Sequence, residues 1–319
     1  MTNDDIVGLL LAIPEIAAWP SMATILTRRS DNVRMDWLLP VFGCQAVGGA
    51  ERDALPGVAA MACSQISIIL VDDLLDEDPR GEHHRIGVGQ AANLALAFQA
   101  AAARVIDQAP IPAEPRAAVQ GSLAFLAAKT AYGQWLDVQN LSGEENYWKV
   151  VEAKSTPFYG VALQVGALLG GASAAAAAEI YAIGALLGEL VQLFDDLEDA
   201  LQVPASPDWT QGRNNLLILY ARSAPHEQRD QFINLLPHVA EADALQQAQQ
   251  ILIDSGAVSY AIYQVVLRYQ AARRRLADLR ANSLLPNPDP IERALIHQII
   301  PLKALFQRLG LATPPELDI

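Results

Sequence analysis

The sequence predicts an all-α protein, and three observations carry that reading. Proline punctuates the chain at Pro14, Pro20, Pro40, Pro56 and Pro79, in the cluster Pro110, Pro112 and Pro115, and again from Pro204 to Pro301. Between these breaks lie long Ala- and Leu-rich stretches with apolar residues at helical spacing. No Val and Ile run alternates between hairpin turns, and aromatic residues are only 6% of the chain, so strands have little to build on.

Taken in order, residues 88–106, 116–135 and 173–201 are each long enough to be antiparallel helices lining a central apolar cavity. Residues 158–178 carry no charge and approach the length of a bilayer span. Small residues and Gln164 weigh against a lipid-facing helix, and Gly170-Gly171-Ala172-Ser173 reads as a turn or helix end. Pro157, just after Lys154, either kinks a helix or opens one. Residues 206–211 and 282–290 read as loops. No composition shift marks a linker, so residues 1–319 are expected to form a single large helical bundle.

The chain has 22 Lys and Arg against 36 Asp and Glu, a formal net charge of −14. A surface that tracks nucleic acid needs a basic face, so this balance argues against a nucleic-acid partner. With 52% hydrophobic and 18% charged residues the chain can bury a large core. Cys44 and Cys63 are too few for a disulfide scaffold. The acidic opening MTNDDIVGLL is unlike a secretory signal, so a cytoplasmic protein with no transmembrane segment is expected.

Two aspartate clusters carry the chemistry: DDLLDED from Asp72 to Asp78, and QLFDDLED from Gln192 to Asp199. Asp72 and Asp76 share a helix face with Asp73 beside them, and Asp195, Asp196 and Asp199 repeat the spacing. Each cluster ends a strongly apolar run, which places carboxylates at the mouth of an apolar cavity. Two carboxylates about 5 Å apart repel by roughly 3 kcal/mol at an effective dielectric of about 20, so such clusters titrate or bind cations. All-oxygen carboxylate sites suit magnesium, which keeps waters and bridges to phosphates. A diphosphate held between two acidic walls by metal ions is the expectation. His83 and His84 read instead as a solvent-exposed loop after Pro79-Arg80-Gly81.

On these motifs, together with Lys154 in EAKSTPF and Asp208 with Gly212-Arg213 in PDWTQGR, the chain resembles the trans-isoprenyl diphosphate synthases of the polyprenyl synthetase family. The likeness runs from about Arg34 to Tyr220. It implies the isoprenoid synthase fold, a homodimer, and a magnesium-dependent prenyltransferase with several ions per active site. Asp72, Asp73, Asp76, Asp195, Asp196 and Asp199 are then metal residues, with Asp72 and Asp195 also counted as catalytic beside Lys154. Lys154, Gln192 and Arg213 would face an allylic isoprenyl diphosphate. Arg34, Gln65, Arg80 and Arg85 would meet the acceptor, isopentenyl diphosphate.

The acceptor site departs from the family at three places. Val33 stands where the family has Lys, Gln65 stands where it has His, and its Arg-Arg-Gly is shortened to Arg80-Gly81 with Arg85 beyond. These departures touch one substrate site and leave the metal motifs intact. A class I terpene cyclase, or a transferase to another acceptor, is therefore the alternative on the same fold. A non-catalytic partner subunit is the third reading, and retention of both aspartate clusters weighs against it. Ser67 and Ile68, one turn before Asp72, are expected to set the depth of the cavity.

Overall fold

The computed structural model describes residues 1–28, 34–308, 310 and 312–317, so Val33 lies outside the described residues. Within them all regular structure is helical and no strand forms. The contacts group the chain into two compact units: residues 1–132, 157–185 and 275–294, and residues 133–156, 186–274 and 295–319. The sequence predicts one domain over residues 1–319. Because each unit gathers stretches far apart along the chain, no linker or change in composition marks where one gives way to the other.

The first unit begins with the helix Asn3–Leu11, started by a reciprocal cap. The Asp5 N–H donates to Thr2 Oγ1 at 3.2 Å, and the Thr2 N–H donates to Asp5 Oδ2 at 2.7 Å. At its centre the helix Leu55–Leu75 packs along Val88–Gln108. Val58, Met61, Cys63 and Ile66 of the first helix and Leu94, Phe98, Ala102 and Ile106 of the second are almost fully buried. Ser67 joins the pair by donating to the Ala95 carbonyl at 2.8 Å. Its side chain therefore faces a neighbouring helix, where the sequence placed it on the wall of a cavity.

Two helix crossings in this unit are so close that only glycine fits. A Cβ on Gly43 would lie 2.1 Å from the Leu163 carbonyl oxygen, and one on Gly166 would lie 1.9 Å from that of Pro40. The helices Leu39–Ala46 and Thr156–Leu169 thus meet backbone to backbone. Pro157 sits in the first turn of the second of these helices, so it opens a helix and does not kink one.

The second unit contains Glu144–Lys154, Leu216–Ser223 and Ala242–Asp254. Asn215, fully buried, starts Leu216–Ser223 by accepting from the Leu217 N–H at 3.0 Å. Trp209 donates its indole N–H to the Ala200 carbonyl at 3.0 Å and packs against Phe232. It belongs to a short helix, Pro207–Thr210, in the segment read from sequence as a loop.

Two helical stretches, Glu51–Leu75 and Ala174–Leu201, are long and apolar enough to cross a membrane, with 67% and 44% of their most apolar windows buried within the protein. Residues 158–178 do not form one helix: Thr156–Leu169 ends at Gly170-Gly171, and Ser173 caps Ala174–Leu201 by accepting from the Ala176 N–H at 3.2 Å. Cys44 and Cys63 are both buried free thiols.

Gly166→Ala is expected to destabilise the protein by about 1–3 kcal/mol or more, since a backbone carbonyl cannot swing aside as a side-chain tip can. Gly8, exposed within Asn3–Leu11, has nothing within 4 Å of its Cβ position. Gly8→Ala should stabilise by roughly 0.5–1 kcal/mol. Chemical denaturation of the two variants beside wild type reads both effects, and a neutral Gly166→Ala would refute the close crossing.

Candidate active site

In the first unit, the helix Leu55–Leu75 delivers Asp72 and Asp73 at its last turn and ends with Asp76 as its C-cap. The Asp76 N–H donates to the Asp72 carbonyl at 2.9 Å, and the Asp78 N–H to that of Asp73 at 3.0 Å. Asp72, Asp73 and Asp76 are half-buried. The Asp73 carboxyl is held above its ordinary range by burial, then by the neighbouring charges of Asp78 and Asp72, with His83 opposing. His83 is buried, its ring against Gly81, and only His84 is exposed. The expectation of an exposed histidine pair is thus corrected, because the chain after Gly81 folds into the short helix His83–Ile86.

The residues expected at the acceptor site are engaged with their own unit. Gln65 accepts from the Trp37 indole N–H at 2.6 Å and donates to Asp36 Oδ2 at 3.2 Å. Arg34 donates to the same Asp36 oxygen at 3.3 Å. Arg80 meets both oxygens of Asp78, at 3.1 and 2.8 Å, and Arg85 pairs with Glu82.

In the second unit a cavity of about 140 Å³ is lined by Asp137, Tyr147, Val150, Val151, Lys154, Gln192, Asp196, Asp199, Asp208, Arg213 and Asn214. Five residues expected from sequence meet here: Lys154, Gln192, Asp196, Asp199 and Arg213. Asp195, exposed on the same helix, is not part of the lining. Lys154 Nζ donates to Asp137 Oδ2 at 2.5 Å. Their helices approach closely, since a Cβ on Gly133 would lie 2.4 Å from backbone atoms of Ala153 and Lys154. Asp137 follows Gly133 by one turn, so the close crossing sets the ion pair. The loop bearing Arg213 is pinned in turn: Asn140 donates to the Gly212 carbonyl and Asn214 to that of Leu141, each at 3.0 Å.

Behind this surface runs a buried polar network. Ser155 donates to Gln192 Oε1 at 2.7 Å, and Gln192 Nε2 donates to Asp196 Oδ1 at 2.9 Å. The Leu216 N–H donates to Asp196 Oδ2 at 2.8 Å. Asn215 Nδ2 bridges the Asp196 carbonyl and Asp208 Oδ2, at 2.8 and 2.9 Å. Both carboxylate oxygens of Asp196 are therefore taken, and the residue is 1% exposed. Asp196, expected from sequence to be a metal residue, here holds the start of Leu216–Ser223. Gln192, expected to face a diphosphate, spends both ends of its amide on Ser155 and Asp196.

Burial pushes the Asp196 carboxyl up to about 7, with hydrogen bonds from Leu216 and Gln192 opposing and the Asp208 charge adding. Asp199 is pushed up to about 6, by burial first, then by Asp208 and Glu198, against Arg213. Among the described residues no three His, Cys, Asp or Glu side chains converge closely enough to hold a metal by themselves. Within each unit the carboxylates, half-buried Asp72, Asp73 and Asp76 in the first and exposed Asp195 with half-buried Asp199 in the second, are hard oxygen donors of the kind that suits a divalent ion. Sequence reasoning missed Asp137, Asn215 and Tyr147. The signal for Asp137 was a lone acid in the otherwise uncharged run TAYGQWLDVQ.

With this geometry in view, the comparisons are consistent. Residues 33–252 match the model of the polyprenyl synthetase family, and the chain belongs to that family. A geranylgeranyl diphosphate synthase of Methanosarcina mazei is 27% identical over 198 residues, covering 57% of this chain and 60% of that protein. The match thus spans less than two thirds of that relative. A short chain isoprenyl diphosphate synthase of Methanothermobacter thermautotrophicus is 27% identical over 253 residues, covering 75% of this chain and 78% of that protein. The polyprenyl synthase of Caulobacter crescentus, solved with calcium and isoprenyl diphosphate, shares the fold at a TM-score of 0.74, with 20% identity, covering 92% of this chain and 91% of that one.

The raised Asp196 value has a thermodynamic consequence. Below about pH 4 the residue is protonated in both folded and unfolded chains; between about pH 4 and about pH 7 the unfolded carboxyl ionises while the folded one stays neutral. The folded chain then binds more protons, so this contribution to stability is lost as pH rises through the window. Wild type should lose thermal midpoint across that range more steeply than Asp196→Asn. Equal slopes in a melting series would remove Asp196 as the source.

Proposed function

We propose that this chain is a magnesium-dependent prenyltransferase that ionises an allylic isoprenyl diphosphate and joins the prenyl chain to an acceptor. The observation that carries this reading is the second-unit cavity, where Lys154 and Arg213 stand among carboxylates in a protein of net charge −14. Cations gathered in a cavity of an acidic chain suit a small, highly charged anion. Allylic substrates are favoured because the relatives' names include geranylgeranyl and short chain isoprenyl diphosphate synthases.

In this reading Lys154, oriented by Asp137, donates to a diphosphate oxygen as the bond to carbon breaks and negative charge collects there. Arg213 adds a second donor on a loop fixed by Asn140 and Asn214. Asp72, Asp73 and Asp76 would hold magnesium in the first unit, and Asp195 and Asp199 would do so in the second. When bound, the metal supplies Lewis-acid neutralisation of the leaving group. A homodimer is proposed on the exposed Val88 and Leu96 of Val88–Gln108 and Phe125 and Tyr132 of Ala113–Gln139. The protein is proposed to act in the cytoplasm and to lack a transmembrane segment, its two most apolar helical stretches serving as core.

Asp72→Ala or Asp195→Ala should abolish diphosphate release while leaving the thermal midpoint unchanged or raised, since each removes a metal oxygen and relieves like-charge crowding. Near-wild-type turnover at saturating magnesium would overturn the metal assignment. Lys154→Ala should lower kcat by about 10²–10³, the scale for losing one donor to a developing anion. Steady-state kinetics with farnesyl diphosphate reads the loss, and unchanged kcat and KM would return Lys154 to a structural ion pair.

A further inference from the structure

We infer that Asn140 and Asn214 are positioning residues: together they register Arg213 against Lys154, so that the two cations meet one diphosphate as a pair. This rests on the reading above that the second-unit cavity takes a diphosphate. Lys154 and Arg213 both line that cavity, yet they come from stretches far apart in the chain. Lys154 ends the helix Glu144–Lys154, whereas Arg213 lies in the non-helical segment between Pro207–Thr210 and Leu216–Ser223. A long side chain on such a segment has much conformational freedom to lose before it can hold an anion, unless the backbone beneath it is fixed.

The two asparagines fix it from both sides of Arg213. Asn140 Nδ2 donates to the carbonyl of Gly212, the residue before it, and Asn214 Nδ2, on the residue after it, donates to the carbonyl of Leu141, each at 3.0 Å. The clamp is thus reciprocal, with one amide contributed by each segment. Its two tightest points have left-handed backbone, Asn140 at φ 45° and Gly212 at φ 66°, a region that asparagine and glycine adopt more readily than other residues. The clamp is rooted one turn from Asp137, since the Asn140 N–H donates to the Asp137 carbonyl at 2.9 Å. Asp137 in turn accepts from Lys154 at 2.5 Å. One helix end therefore orients the Lys154 ammonium through Asp137 and the Arg213 backbone through Asn140.

The value of the clamp is geometric. Asn140, Leu141 and Gly212 are exposed, and a hydrogen bond open to water adds little to folding because water replaces it when it breaks. The same bonds remove loop freedom that an anion would otherwise have to freeze on binding.

A double-mutant cycle on the full chain tests this. Calorimetry with inorganic diphosphate and magnesium gives Kd, and diphosphate release from farnesyl diphosphate with isopentenyl diphosphate gives kcat. Both are read for wild type, Asn140→Gly with Asn214→Ala, Arg213→Ala, and all three substitutions together. Glycine keeps the left-handed backbone at position 140 and removes only the amide. Expected from Arg213→Ala is a loss of roughly tenfold, the scale of one charged contact, with a loss approaching it from the asparagine pair. In the Arg213→Ala background the pair should cost less than about twofold more. An undiminished loss there would overturn the inference, because the asparagines would then brace the protein without acting through Arg213. An asparagine pair within about twofold of wild type, while Arg213→Ala shows its loss, would also overturn it and leave the diphosphate reading standing. Binding without release would sink the prenyltransferase reading alone, and the cycle in Kd would still decide the clamp. If Arg213→Ala costs nothing, or wild type neither binds nor releases diphosphate, both readings fall. The single asparagine variants run through the same cycle, so a double variant that fails to fold leaves the comparison decided.

Discussion

Close backbone approach at glycine is the constraint on which the rest depends. Gly43 and Gly166 let two first-unit helices touch carbonyl to backbone, and Gly133 does the same for the helices that carry Asp137 and Lys154. A methyl group at Gly133 would clash with the Ala153 and Lys154 backbone at 2.4 Å and force apart the helices that carry the ion pair. The position of the ammonium is thus a packing result before it is an electrostatic one. Dispersion between tightly apposed backbones and burial of the flanking apolar side chains supply the energy that holds the charge in place.

A second theme is how an acidic chain manages its own repulsion. The Gln192–Asp196–Leu216 network answers one buried carboxylate with donors and still leaves its ionisation pushed up to about 7. Asp199, crowded by Asp208 and Glu198, remains open to the cavity. The two residues share a motif and, three positions apart, lie on neighbouring helix faces; they differ because Asp196 meets the Gln192 amide and the Leu216 N–H, whereas Asp199 is half-buried beside Asp208 and Glu198.

In the first unit the same economy acts on the cations. Arg34, Arg80 and Arg85 each pair with an acid two or three residues away, and Asp36 also accepts from the amide of Gln65.

Much was legible in the sequence. Helical periodicity and proline placement determined the all-α class, the start of one long helix at Val88 and the break at Gly170–Ser173 before another, because these depend on near neighbours along the chain. The spacing of Asp72 to Asp78 and Asp195 to Asp199, with Lys154 and Arg213, determined the family, since those motifs are local strings. Only the tertiary structure decided that Asp196 and Gln192 are internal braces, that Asp137 is the partner of Lys154, that His83 is buried, and that residues 1–319 divide into two compact units. Each of these turns on which groups from distant stretches meet. A side chain's partner is set by helix rotation and crossing distance, and neither quantity is written in the order of residues along one helix.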